Sequence, residues 1–203
     1  MKYIVILLSL FTVTSCGTAT MSTNERFYEE VYKPRYKTIV VKKEEVPQES
    51  KSVEEKTPEV VIKIERKNPV FQAVQYLDYT EKEDRRALKE LTGVDPVRIE
   101  WCAAFANAIL EQSNIPSNKD HKYPLTARAF LDWGEKVDKP QMGDIVVFPR
   151  GSEGWQGHVG FYVKEQVIDG VLYYYILGGN QKNSVRVDLY EASKAIGIRR
   201  SSV

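Results

Sequence analysis

Pro140-Gln141-Met142-Gly143-Asp144-Ile145-Val146-Val147-Phe148 is the stretch where the chain changes its period. The proline and glycine make a turn, and the apolar run that follows reads as a strand. Moving outward toward the N-terminus, four segments back to Asn68 repeat at helical spacing. Thr126 to Trp133 reads as a helix ended by Gly134, and Trp101 to Ser113 as another, with Ala104, Phe105, Ala108 and Ile109 as its buried stripe. Thr80 with Glu83 has the form of a capping box before Ala87, Leu88 and Leu91, and that helix stops at Gly93. Asn68-Pro69 supplies an N-cap and a proline at the first helical position, ahead of Val70, Phe71, Val74 and Leu77. Moving outward the other way, residues 158–163, 171–177, 184–187 and 195–199 read as further strands. Helices first and an antiparallel sheet afterwards predict an α+β domain.

The chain has 203 residues, room for one domain and a tail. Its 29 basic residues nearly cancel 28 acidic ones, leaving a net charge of +1, so nothing electrostatic points to nucleic acid. Residues 1–15 hold one lysine and the apolar run Tyr3 to Phe11, too short to span a bilayer and matched to a signal-peptide core. That run ends in Val13-Thr14-Ser15-Cys16-Gly17, which resembles the lipobox of bacterial lipoproteins. Cleavage before Cys16 and acylation of its thiol would hold the mature chain to a membrane, in the cell envelope and outside the cytoplasm. Residues 16–67 read as a charged, flexible tether. Seven bases balance seven acids between Lys42 and Lys67, Pro47 and Pro58 interrupt, and too little apolar surface is present to offset the ordering entropy. Residues 68–203 form the folded domain. With Cys16 acylated, Cys102 is left as an unpaired thiol in an exported chain, which marks it as a candidate reactive group.

Cys102 falls at the first turn of the third predicted helix, in Glu100-Trp101-Cys102-Ala103-Ala104-Phe105. A helix N-terminus favours negative charge, so this position predicts a lowered thiol pKa. Two histidines are available as its base. His121 stands in the charged loop Asn118-Lys119-Asp120-His121-Lys122 and reads as a surface residue. His158 opens a strand in Gly154-Trp155-Gln156-Gly157-His158-Val159-Gly160-Phe161-Tyr162, with glycines on both sides that leave room for a ligand or another backbone. Alternation puts His158 and Gly160 on one face and Val159 and Phe161 on the other. A base needs an orienting partner. Asn180, in Leu177-Gly178-Gly179-Asn180-Gln181, is the first candidate, and Asp144 is the second.

These stretches, in this order, resemble the CHAP domain, the cysteine, histidine-dependent amidohydrolases and peptidases of the papain-like class. Trp101 to Phe105, Gly143 to Phe148, Gly154 to Tyr162 and Leu177 to Gln181 carry the resemblance, which spans roughly residues 70–200. It implies a papain-like fold with N-terminal helices packed on a small antiparallel sheet. It also implies Cys102 as nucleophile, His158 as base and Asn180 as orienter. Many members carry a glutamate two residues before that asparagine; here the position is Gly178. The implied substrate is peptidoglycan, cut at an amide in or beside its stem peptides, with Trp155 and Gln156 lining the groove. The expected enzyme uses no cofactor and no metal and acts as a monomer. The competing expectation is an envelope lipoprotein that binds wall peptides without cutting them.

Overall fold

The computed structural model describes Thr23, Asn24 and residues 68–202. The signal segment, Cys16 and the rest of the tether lie outside the described residues. Thr23 and Asn24 are helical, and Asn24 touches the domain: its Oδ1 accepts from the Val187 N–H at 2.9 Å and its amide donates to Asp78.

The helices are α1 (Pro69–Ala73), α2 (Arg85–Thr92) and α3 (Cys102–Gln112), with 3-10 turns at Val74–Tyr76, Ala127–Asp132 and Ala192–Lys194. The strands are β1 (Glu135–Lys136), β2 (Ile145–Pro149), β3 (Gly157–Ile168), β4 (Val171–Gln181), β5 (Ser184–Glu191) and β6 (Gly197–Arg200). They form one six-stranded antiparallel sheet in the order β1-β6-β2-β3-β4-β5. The fold is α+β, with the helices ahead of the sheet in sequence.

Local chemistry explains most boundaries. Asn68 caps α1 by accepting from the Val70 N–H at 3.0 Å. At α2 the Thr80 hydroxyl accepts from the Glu83 N–H at 3.1 Å, but the reciprocal bond comes from Asp84, whose carboxylate accepts from the Thr80 N–H. Thr80 is itself bridged to Ser184, which keeps it extended and delays the helix to Arg85. The segment predicted as a helix over 126–133 is a 3-10 turn. At three residues per turn Ala127 and Phe130 fall on the same side, and both are buried. The strands run further than their apolar patterns. Outer positions such as Glu165 and Gln166 are exposed, so nothing apolar marks them. Two-residue turns fix their ends: Asp169 and Gly170 (φ 50° and 77°) join β3 to β4, and Lys182 and Asn183 (φ 51° and 63°) join β4 to β5.

The main core lies between the helices and one sheet face, where Leu88, Trp101, Phe105 and Phe130 meet Ile145, Val147, Val159, Phe161 and Leu177. The opposite face carries a smaller cluster of Val146, Phe148, Tyr162, Tyr174 and Ile176. β2 is therefore apolar without alternation because both its faces are covered. Asp144, the second candidate orienter, serves the turn instead. Its carboxylate accepts from the Gln141 N–H at 2.7 Å and makes a two-point ion pair with Arg200 at 2.9 and 2.7 Å.

Candidate active site

Cys102 is the first residue of α3, and its side chain is 4% exposed. The helix start is pressed onto β4: a Cβ on Gly179 would stand 2.5 Å from Trp101 and 2.7 Å from Phe105. Only a bare backbone permits that approach. The approach brings the Cys102 thiol to β3, where it accepts from the Val159 N–H, the amide directly after His158.

His158 is 1% exposed. It lies on the sheet face expected from alternation, with Val159 and Phe161 in the helix-side core. Its ring is covered by Tyr190 (centroids 5.5 Å, 13° between planes), which also stacks on Phe148 at 4.5 Å. The flanking glycines serve the protein's own packing. A Cβ at Gly160 would meet the Ile176 side chain at 2.5 Å, and one at Gly157 would meet the Phe148 carbonyl at 3.1 Å.

The imidazole's partner is Gln181, not Asn180. His158 Nε2 stands 3.0 Å from Gln181 Oε1. The Gln181 amide nitrogen is spent on acceptors, the carbonyls of Ile176 (3.1 Å) and Arg186, so the oxygen must face the ring. The ring therefore donates from Nε2–H, and Nδ1 keeps its lone pair, buried and with no hydrogen-bond partner. The displacement from Asn180 to Gln181 has one cause. Gly178 is on the imidazole side, since a Cβ there would lie 3.5 Å from Nε2. In a regular strand Asn180 would share that face. A bulge between Gly178 and Gln181, with Asn180 at φ 56°, inserts one residue and hands the position to Gln181. Asn180 instead braces the cleft mouth: its amide donates to Glu100 and its carbonyl accepts from Arg150 at 3.1 Å.

Cys102 opens onto a cavity of about 260 Å3. Its walls include Glu100, Thr126, Arg150, Trp155 and Gln156. Trp155 is 66% exposed. Gln156 also ties its loop together, its side-chain oxygen accepting from the Glu153 N–H at 3.0 Å. Buried Asn107 holds the opposite wall by donating to the Pro124 carbonyl and accepting from the Asn118 N–H. His121 has no part in this cleft. Its Nδ1 accepts from the Tyr123 N–H and its Nε2 lies 3.5 Å from Asp132, beside a neighbouring cavity.

Burial sets the resting charges, against the expectation of a lowered thiol pKa. It pushes the Cys102 thiol up; Arg150 and the N–H groups of Val159 and Ala103 pull it back only in part. Burial likewise pushes the imidazole down to about 3, Arg150 adds to the shift, and the Gln181 bond opposes it. At neutral pH the site holds a thiol and a neutral imidazole. Two consequences are measurable. The acid limb of a kcat/KM profile lies well below pH 6, because the base stays free of its proton. Stability also falls as pH drops below 6.5 toward about 3, because the unfolded histidine takes up a proton that the folded one refuses. The slope is about 1.4 kcal/mol per pH unit over that window. Acid titration followed by circular dichroism measures it, and a stability flat from pH 7 to 4 contradicts it.

Arg150 and Gln181 escaped the sequence reading. Arg150 follows a strand in Pro149-Arg150-Gly151 and looks like any surface base, and Gln181 was masked by the bulge.

No curated protein matches the chain. Residues 94–180 match the family model of the CHAP domain, a span that includes Cys102, His158 and Asn180 and stops one residue before Gln181. Over these residues the chain is thus similar to a CHAP domain.

Proposed function

We propose that this domain is a cysteine hydrolase that cuts amide bonds of peptidoglycan, in or next to the stem peptides, from a lipid anchor on Cys16 in the cell envelope. CHAP domains are typically cysteine- and histidine-dependent amidohydrolases, consistent with a peptidoglycan substrate. The observation that carries the reading is the imidazole fixed by Gln181 with a bare Nδ1, one residue from the amide that holds the Cys102 thiol. Signal-like residues 1–15 and Cys16 support the anchor and the location.

The reaction starts from the neutral pair. As Cys102 Sγ attacks the amide carbonyl, its proton passes to His158 Nδ1, and the imidazolium is stabilised through Nε2–H by Gln181 Oε1. His158 then gives that proton to the leaving amine, the C–N bond breaks, and a thioester remains on Cys102. Water, losing a proton to His158, attacks the thioester and releases the acid; the proton returns to sulfur. The Cys102 backbone N–H, unpaired by position at the start of α3, is the oxyanion donor.

The test is incubation of the full chain with purified peptidoglycan. Free amines are expected to rise with no new reducing sugar ends, and prior alkylation with iodoacetamide is expected to stop the rise. An intact polymer after prolonged incubation leaves only a binding protein.

A further inference from the structure

Arg150 directly follows Pro149, the last residue of β2. It stands at the end of β2 on the wall of the Cys102 cavity, with its side chain only 35% exposed. One guanidinium nitrogen, Nη2, is held by the Asn180 carbonyl at 3.1 Å. The left-handed backbone of Asn180 aims that carbonyl at the cleft mouth, and asparagine tolerates this conformation better than most residues. Tyr190, the ring that covers His158, also hydrogen-bonds the guanidinium.

Nη1 is different. Its partner is Glu100 at 3.6 Å, a loose ion pair whose carboxylate side chain is 80% exposed. Such a pair gains little in water and is readily exchanged. The guanidinium is thus fixed at one edge, open at the other, and already facing a carboxylate. Arginine presents a planar fork that fits carboxylates at two points. Glu100, which also accepts from the Asn180 side-chain amide, can exchange both contacts for water at its exposed carboxylate, while Arg150 remains tied to the Asn180 backbone carbonyl.

We infer that Arg150 is a substrate-carboxylate subsite, so that the amide presented to Cys102 belongs to a peptide bearing a free carboxylate, which displaces Glu100 from Nη1. The inference rests on the proposed peptide substrate and narrows it. Stem peptides carry such a group in two places, the α-carboxylate of a γ-linked D-glutamyl residue and the C-terminal carboxylate. Amidation of either removes the charge without changing the shape.

The experiment uses the full chain as Cys102→Ala, which binds without turnover. The probes are N-acetylated L-Ala-γ-D-Glu-L-Lys-D-Ala in four forms, with carboxylate or carboxamide at each of the two positions, titrated by calorimetry. One of the two positions is expected to show about tenfold tighter binding as the carboxylate, and the position identifies the source. Adding Arg150→Gln is expected to erase that ratio, while Arg150→Lys retains part of it, since charge survives and the fork does not. Circular dichroism checks both folds, and Arg150→Lys carries the test if Arg150→Gln is unstable. Equal binding of all four forms, or a preference that survives Arg150→Gln, overturns the subsite. Hydrolysis of purified peptidoglycan by the chain with Cys102 intact is read separately. Preference without cleavage upholds the subsite and sinks the hydrolase reading; cleavage without preference overturns the subsite and keeps the hydrolase.

Discussion

Cys102→Ala is expected to lower the release of new amines from peptidoglycan by about 10³- to 10⁶-fold, the range seen when one member of a catalytic unit is removed. Alanine keeps the Cβ and the helix start, so the cavity wall survives while the only thiol among the described residues is lost. His158→Ala is expected to fall into the same range, because the pair acts as a unit and removing either member stops proton transfer. The two substitutions differ in their structural effect. Removing the imidazole leaves Gln181 Oε1 without its partner and takes away the ring under Tyr190, which costs about 1–3 kcal/mol. Near-ultraviolet circular dichroism therefore accompanies the assay, and labelling of new amino termini gives the rate. A residual rate within tenfold of the native chain in either folded variant removes that residue from the chemistry.

The second large effect is structural. Gly179→Ala is expected to destabilise the domain by about 3 kcal/mol, at the upper end of overpacking costs. The added Cβ would stand 2.5 Å from the Trp101 ring, 2.7 Å from Phe105 Cβ and 2.8 Å from its Cγ. Trp101 and Phe105 are fully buried and meet edge to face at 6.1 Å, so neither can step aside. The strain is relieved only by moving α3 away from β4, which also carries the Cys102 thiol off the Val159 amide. A lowered urea midpoint and a reduced kcat in the surviving folded fraction are both expected. Gly154→Ala is the control, since nothing lies within 4 Å of its added Cβ. An unchanged midpoint for Gly179→Ala means that the helix start is not clamped as described.

Much of this protein is legible without coordinates. The Asn68 cap, the glycine end of α2, the position of Cys102 at a helix start and the alternation around His158 are all local, set by bonds and side chains within a few residues of one another. The Asp169-Gly170 turn belongs with them, because its positive φ values suit those two residues. Where local signals met a tertiary demand, the tertiary demand won. Thr80 caps as its pattern says, yet its bridge to Ser184 moves the helix start, and the 126–133 helix tightens to lay Ala127 and Phe130 on the sheet.

The amino-acid sequence by itself determined the class of fold and pointed to the proposed chemical pair, because periodicity and a cysteine at a helix start are written within single segments. The partner of the imidazole, the neutral resting state and the place of Arg150 on the cavity wall were decided only in three dimensions. A bulge of one residue reverses which side chain faces His158, burial overrides the helix dipole at Cys102, and Arg150 meets Glu100 and Asn180 only because β2, β4 and the start of α3 converge on one cleft. Strand parity and desolvation depend on neighbours distant in the chain, and no local pattern encodes them.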